Sequence, residues 1–260
     1  MKQNFLCVDV GNTHMVFGLY RQGELQMDWR LSSQREMTSD ELAWQLYGLF
    51  TRINFPVADI DGIMIASVVP HLDQVLADAC EQVCQQQAAF VGSAEVKTGM
   101  ALDYKNPREV GADRIVNAVA AREAYGAPVI VLDCGTATTF DVVAPNGHYA
   151  GGLIVPGLEV SLQALSKRAA RLPEVSFAPA DTLIGRDTVT SMQAGVYWSN
   201  VDGLSGIVRR LRALPGYADA PVIATGGFAS GIAGGMDCIH CVEPHLTLQG
   251  LNILAGMNIK

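Results

Sequence analysis

Five residues near the start of the chain, Asp9-Val10-Gly11-Asn12-Thr13, bring a carboxylate, a glycine, an amide and a hydroxyl into one turn. A carboxylate that ends an apolar run needs a partner, because burying a bare charge is costly. Gly11 permits a tight turn and a close backbone approach to a phosphate, and Asp9 could hold a hydrated Mg2+ against a polyphosphate. An ordinary β-hairpin with Asn and Gly as turn residues accounts for the same residues. A second stretch, Asp133-Cys134-Gly135-Thr136-Ala137-Thr138-Thr139, supplies another carboxylate, another glycine and several hydroxyls. Asp133 could bind a cation directly. Two such turns facing each other would clasp a polyphosphate and its cation, and phosphoryl transfer needs that positioning and charge relief. A threonine-rich strand pair is the alternative. A third turn, Thr225-Gly226-Gly227, would offer a purine or ribose a flat backbone surface, or is simply a strand–helix connection.

The elements that must position these residues follow from periodicity. Phe5 to Val10 is a continuous apolar run and reads as a central strand. His14 to Tyr20 and Glu24 to Leu31 read as the next two strands. Thr38 and Glu41 form a capping-box pattern ahead of Leu42, Leu46, Leu49 and Ile53 at helical spacing. A strand over Gly62 to Val69 and a helix from Pro70 to Gln87, with Leu72, Val75, Ala79 and Val83 on one face, come next. Asn106-Pro107 with Glu109 is a helix-start signal, and Gly126 and Pro128 close that helix. Val129 to Leu132 and Phe140 to Val143 then repeat the opening strand–turn–strand unit at an offset of 124 residues, Asp9 aligning with Asp133 and Gly11 with Gly135. The repeat implies a duplicated domain, 1–117 and 118–260, with a cleft between the copies. Strands near His148 to Val155 and Pro221 to Ala224, a helix after Gly157, a long helix near Thr188 to Leu214 and a last helix from Leu246 to Met257 complete the chain.

Composition narrows the function classes. The 260 residues suffice for two modest α/β domains with real cores, and 49% hydrophobic residues exclude general disorder. Net charge is −8 with no Lys/Arg run, so nucleic acid is not an expected partner. Backbone N–H groups and metal ions can hold phosphates regardless of that charge. No apolar run approaches the ~20 residues of a membrane span, and the first residues are too short for a secretory signal. A cytoplasmic protein with reduced thiols at Cys7, Cys80, Cys84, Cys134, Cys238 and Cys241 is expected. Cys238 and Cys241, with His240 and His245 nearby, admit a zinc site. A short buried strand over Cys238 to Val242 fits them as well, since positions three apart then face opposite sides.

The set DVGNT, DCGTATTFD and TGG resembles the phosphate-1, phosphate-2 and adenosine motifs of the acetate and sugar kinase, chaperone and actin superfamily. That resemblance implies an α/β fold of two ribonuclease H-like domains, each a mixed sheet flanked by helices, around a nucleotide cleft. The order Tyr104, Asn106-Pro107, then Gly111-Ala112-Asp113-Arg114 is similar to the substrate segment of type III pantothenate kinases, as are Gly151-Gly152 with Pro156-Gly157 and the Gly185 to Gly195 stretch. The family resemblance implies ATP-dependent phosphorylation of pantothenate to 4′-phosphopantothenate, with Mg2+ and a monovalent cation, K+ or NH4+. It implies that Asp113 is the general base. A normal Asp pKa is about 3.9, so the carboxylate would be ionised, weakly basic, and effective through geometry. Tyr104, Gly111, Ala112, Asp113, Arg114 and Thr188 would bind pantothenate, with Thr188 reaching in from the other subunit of a homodimer. Asp9, Val10, Gly11, Asn12, Thr13, His14, Met15, Val16 and Thr136 would contact ATP, and Asp133 would hold the monovalent cation.

Other readings of single residues remain. Asp113 and Arg114 also suit exposed first-turn charges, and Thr188 suits a helix cap. At the level of function, another small acceptor on the same fold and a nucleotide-binding regulator compete. Asp113 discriminates against both: an ionised acceptor needs no base, and a sensor could lose one freely.

Overall fold

Two five-stranded mixed sheets organise residues 4–259, which this computed structural model describes. In the first, β1 (Asn4–Val10) pairs antiparallel with β2 (His14–Arg21) and parallel with β4 (Gly62–Ser67). With β3 (Glu24–Ser32) and β5 (Ala88–Phe90) the order is β3-β2-β1-β4-β5. The second sheet consists of β6 (Val129–Cys134), β7 (Ala137–Val143), β8 (Tyr149–Pro156), β9 (Val222–Thr225) and β10 (Cys241–Val242). Its order is β8-β7-β6-β9-β10, with the same senses: the first three strands antiparallel, the last two parallel to the central one. The duplicated ribonuclease H-like topology is therefore present strand for strand. Apart from Asn4, Asp9 and Asp133, β1 and β6 are apolar, because a central strand is covered on both faces.

Helices α1 (Ser39–Arg52) and α2 (Pro70–Cys84) bury Leu42, Leu46, Phe50, Leu72, Leu76 and Ala79 against Leu6, Val8, Val10, Met15 and Phe17 of the first sheet. The Thr38–Glu41 capping box is formed as its pattern predicts. The buried stripes are shifted from the expected ones. Leu49, Ile53, Val75 and Val83 are only partly buried, and Phe50, Leu76, Cys80 and Cys84 fill the core instead. Helix α2 stops at Cys84 rather than Gln87 because Gln85 turns into the left-handed region, at φ 53°.

The segment Asn106–Glu109 does not start a helix. Pro107–Glu109 form one isolated 3-10 turn, Val110 is extended, and α3 runs over Ala112–Tyr125. The Asn106 amide donates to Glu109 Oε1 at 2.8 Å instead of capping backbone N–H groups. The second sheet packs α4 (Leu158–Arg168), α5 (Thr188–Arg212) and α6 (Ala229–Ala233) onto Ile130, Leu132, Phe140, Val222 and Ala224. The last helix, α7 (Leu246–Asn258), lies where expected.

By backbone proximity the chain groups into two compact units. One holds the residues up to Gly99, Asn106–Ala120 and the residues from Thr247 on. The other holds Met100–Lys105 and Ala121–Leu246. This grouping differs from a division at 117/118 chiefly in sending α7 to the first sheet. Leu248 presses on Gly18 of β2, and Gly250 lets α7 meet Val116 of α3 closely.

Candidate functional site

In the first unit, Asp9 is the penultimate residue of β1, half-buried, in register with Val16 of β2 and Ala66 of β4. The turn after it is closed by Gly11 N–H donating to His14 O at 3.0 Å. Ser33 Oγ also donates to Gly11 O at 2.6 Å. Asn12, Thr13 and His14 are exposed, whereas Val10 and Met15 are fully buried in the core. Within Asp9–Val16, Val10 and Met15 can therefore offer a ligand only backbone atoms.

Asp113 stands in the first turn of α3, half-buried, and its Oδ1 accepts from the Arg114 N–H at 2.8 Å. Burial raises its carboxyl above the ordinary range. The N–H bond and the charge of Arg114 offset that only in part. The side chain is therefore more basic than an unperturbed aspartate. Arg114 is itself buried, so neither residue is an exposed first-turn charge. Gly111 explains how the carboxylate fits: a Cβ there would stand 2.5 Å from Asp113 Oδ1 and 3.6 Å from Val68 Cγ1. Val68 in turn donates its N–H to Val10 O at 3.0 Å. Asp113 and Val68, whose N–H bonds to the Asp9 turn, therefore both lie beside Gly111. Ala112 is buried and contributes backbone only.

In the second unit, Asp133 repeats the position of Asp9: penultimate in β6, half-buried, and in register with Thr139 of β7 and Thr225 of β9. The copies differ by one residue. Gly135 N–H donates to Ala137 O at 3.1 Å, so the second turn is shorter than the first. The glycines of the other motifs press directly on it. Gly226, at φ +91°, has no room for a Cβ: Asp133 Oδ1 lies over it, and Cys134 C and O would be 2.7 Å away. Gly157, the N-cap of α4, meets the carbonyls of Gly135 and Thr136 in the same way. Asp133, Gly135, Thr136, Gly157 and Gly226 are therefore one cluster, in which Thr136 is exposed. The available donors there are a carboxylate, hydroxyls and carbonyls, all hard oxygens suited to K+ or Mg2+.

Tyr104 is partly exposed and rests on Gly151, whose φ is +109° and where a Cβ would stand 3.5 Å from the ring. Thr188 is the first residue of α5 and is exposed, but it does not cap the helix. Asp187 does, through Thr190 N–H at 2.8 Å. Thr188 is thereby left to line a groove of about 760 Å³ with Leu165, Leu172, Met192 and Val196.

Sequence reasoning assigns no role to Asp141, which closes the DCGTATTFD motif. It is fully buried on β7, and Tyr149 Oη donates to its Oδ1 at 2.9 Å. An apolar-flanked carboxylate inside a strand was the available signal. Cys238 and Cys241 do not converge. Their sulfurs meet Ser205 Oγ at 3.9 Å and Tyr125 Oη at 3.2 Å respectively. Only Cys241–Val242 are strand, and both cysteines are half-buried rather than buried. Among the described residues no group of three or more His, Cys, Asp or Glu could hold a metal ion together. None of their helices is long and apolar enough to cross a membrane.

The family model for type III pantothenate kinase matches residues 5–210, which include both carboxylate turns, the Gly111–Arg114 segment and Thr188. The chain is 44% identical over 254 residues to a type III pantothenate kinase of Brevibacillus brevis, covering 97% of this chain and 98% of that one. It is 45% identical over 253 residues to one of Moorella thermoacetica, covering 97% and 99%. Among solved structures, MreB 5 of Spiroplasma citri bound to AMPPNP superposes with a TM-score of 0.56 at 8% identity, covering 99% of this chain and 97% of that one. That likeness shows the fold alone.

Proposed function

The chain belongs to the type III pantothenate kinase family, and from that premise we propose that it transfers the γ-phosphoryl group of ATP to the primary hydroxyl of pantothenate. The products are ADP and 4′-phosphopantothenate, at the entry to coenzyme A synthesis, in the cytoplasm. The observation that carries the reading is Asp113: a half-buried carboxylate made more basic by burial, held over Gly111 beside the Val68 that bonds to the Asp9 turn.

In the reaction the hydroxyl proton moves to the Asp113 carboxylate as the acceptor oxygen bonds to the γ-phosphorus. The bond to the β–γ bridging oxygen breaks, and the electron pair leaves with ADP. A raised pKa strengthens the base, which favours proton transfer in the transition state. Because phosphoryl transfer relies on positioning and charge neutralisation, the reading requires Asp9, Asp113 and Asp133 to act on one nucleotide. Asp9 would hold Mg2+ with the phosphates supplying further oxygens, and Asp133 with its hydroxyl-rich turn would hold K+ or NH4+. When bound, these cations supply charge neutralisation. The exposed donors of Asn12, Thr13, His14 and Thr136, with main-chain atoms of Val10, Gly11, Met15 and Val16, would contact ATP. Tyr104 and the Gly111–Arg114 segment would shape the pantothenate site.

Thr188 would reach pantothenate from the second subunit of a homodimer. Its release from capping and the exposed Leu165, Leu183, Ile184 and Val189 near its groove support that role. An ADP-release assay over a panel of small acceptors, run in K+ and in Na+, tests the proposal. Turnover confined to pantothenate and enhanced by K+ is expected, and turnover with another acceptor alone rejects it. Asp113→Asn should bind ATP and lose most turnover.

A further inference from the structure

A fully buried carboxylate is costly unless it organises something, and Asp141 is the one the mechanism above leaves unused. It sits on β7 with no exposed surface, accepting from Tyr149 Oη at 2.9 Å and from Thr139 Oγ1 at 3.3 Å. Tyr149, at the start of β8, is also wholly buried. Its main chain does a second job. Its N–H donates to Ala101 O and its carbonyl accepts from Asp103 N–H, both at 2.9 Å, so that Leu102 pairs with it in an isolated parallel bridge. The next residue is Tyr104, whose ring lies 6.3 Å from that of Tyr149, tilted by 49°, and covers Gly151 two residues further along β8.

We infer that Asp141 and Tyr149 form a buried positioning pair that fixes the Ala101–Tyr104 segment on β8, and so sets the place of the Tyr104 ring and the affinity for the acceptor. The inference rests on the reading that Tyr104 shapes the acceptor site. The phenol–carboxylate bond locks the ring angle of Tyr149. The two main-chain bonds on either side of Leu102 then fix the segment, and Gly151 leaves the Tyr104 ring a flat seat. Neither Asp141 nor Tyr149 needs to touch the acceptor for this to act.

The test uses Tyr149→Phe, Asp141→Asn, Tyr104→Ala and the double variant Tyr149→Phe/Tyr104→Ala in the full chain. Removing the buried phenol bond is expected to raise KM for pantothenate roughly tenfold, with KM for ATP and kcat changed less than about twofold. In the Tyr104→Ala background the same change should have no further effect, since residues acting through one another are not additive. A second readout needs no activity. Lys105 is exposed directly after the segment, and trypsin should nick Lys105–Asn106 faster in Tyr149→Phe and Asp141→Asn, as followed by mass spectrometry. Asp141→Asn keeps an acceptor for the phenol, so its nicking rate and KM should lie between those of wild type and Tyr149→Phe, which separates loss of the bond from a general loss of the fold. Unchanged nicking, or a KM rise equal in both Tyr104 backgrounds, overturns the positioning pair. A wild type inert towards pantothenate sinks the proposed function instead, and the nicking rates still decide the pair.

Discussion

Gly111→Ala isolates the geometry of the proposed base. A Cβ at this position would stand 2.5 Å from Asp113 Oδ1, while its other neighbours, Val68 Cγ1 at 3.6 Å and Arg114 Cγ at 3.7 Å, are at ordinary contact distance. Gly111 is not in the left-handed region, so the backbone accepts alanine without strain. The whole conflict falls on one carboxylate oxygen, which must retreat about 0.9 Å to reach the 3.4 Å of an ordinary contact. Displacing a reacting group by about 1 Å costs on the order of 100-fold in rate, so kcat should fall about that much. The retreat also strains the Arg114 N–H bond to Oδ1. Losing a hydrogen bond to a charged group costs about 1.5–3 kcal/mol, so Tm should fall by no more than roughly 3–12 °C. Steady-state kinetics with pantothenate and ATP, alongside a thermal melt, give both numbers. A kcat within about threefold of wild type would refute the claim that the position of Asp113 limits the reaction. A collapse of Tm would show that the clash is relieved by the backbone instead.

Gly226→Ala should act on stability first: φ +91° costs an L-residue roughly 1–2 kcal/mol. Crowding against Asp133 and Cys134 adds about 1–3 kcal/mol, so Tm is expected to drop by roughly 5–15 °C, and any surviving enzyme should respond less to K+. A melt unchanged from wild type would contradict the packing described for that turn. The raised carboxyl of Asp113 predicts an acid limb in kcat/KM above the ordinary aspartate range, absent in Asp113→Asn. For stability the sign is the reverse of the usual carboxylate. With a folded pKa above the unfolded one, the contribution of Asp113 is fully present at low pH and is lost as pH rises through the folded value. Asp113→Asn should accordingly melt higher than wild type near neutral pH, and the gain should vanish below about pH 4. Equal melting temperatures across that range would show that the carboxylate is not desolvated. Replacing K+ by Na+ should lower turnover in wild type, and Asp133→Asn should erase the difference between the salts.

Much of the architecture was legible because local pattern and local structure coincide. Apart from Asn4, Asp9 and Asp133, β1 and β6 are apolar, so strands carrying Asp9 and Asp133 next to their ends follow from the sequence pattern. The 124-residue repeat anticipated two sheets of one topology. The Thr38–Glu41 box and Gly157 marked helix starts correctly. Sequence failed where a side chain had a competing partner. Asn106 bonds to Glu109 rather than to the helix it was expected to cap. The alternative reading of Thr188 as a cap falls away, because Asp187 caps α5. The helical stripes drifted by about one position because Leu49 and Phe50, or Val75 and Leu76, are equivalent in hydrophobicity, and only the opposing sheet chooses between them.

The residue types at 9, 113 and 133, their order and their spacing were set by the sequence alone, since a turn after a central strand needs only neighbours within a few positions. The basicity of Asp113, the seating of Asp133 over Gly226 and the Asp141–Tyr149 pair holding Tyr104 were decided by tertiary structure. Each depends on desolvation or contact from residues that only the fold brings together.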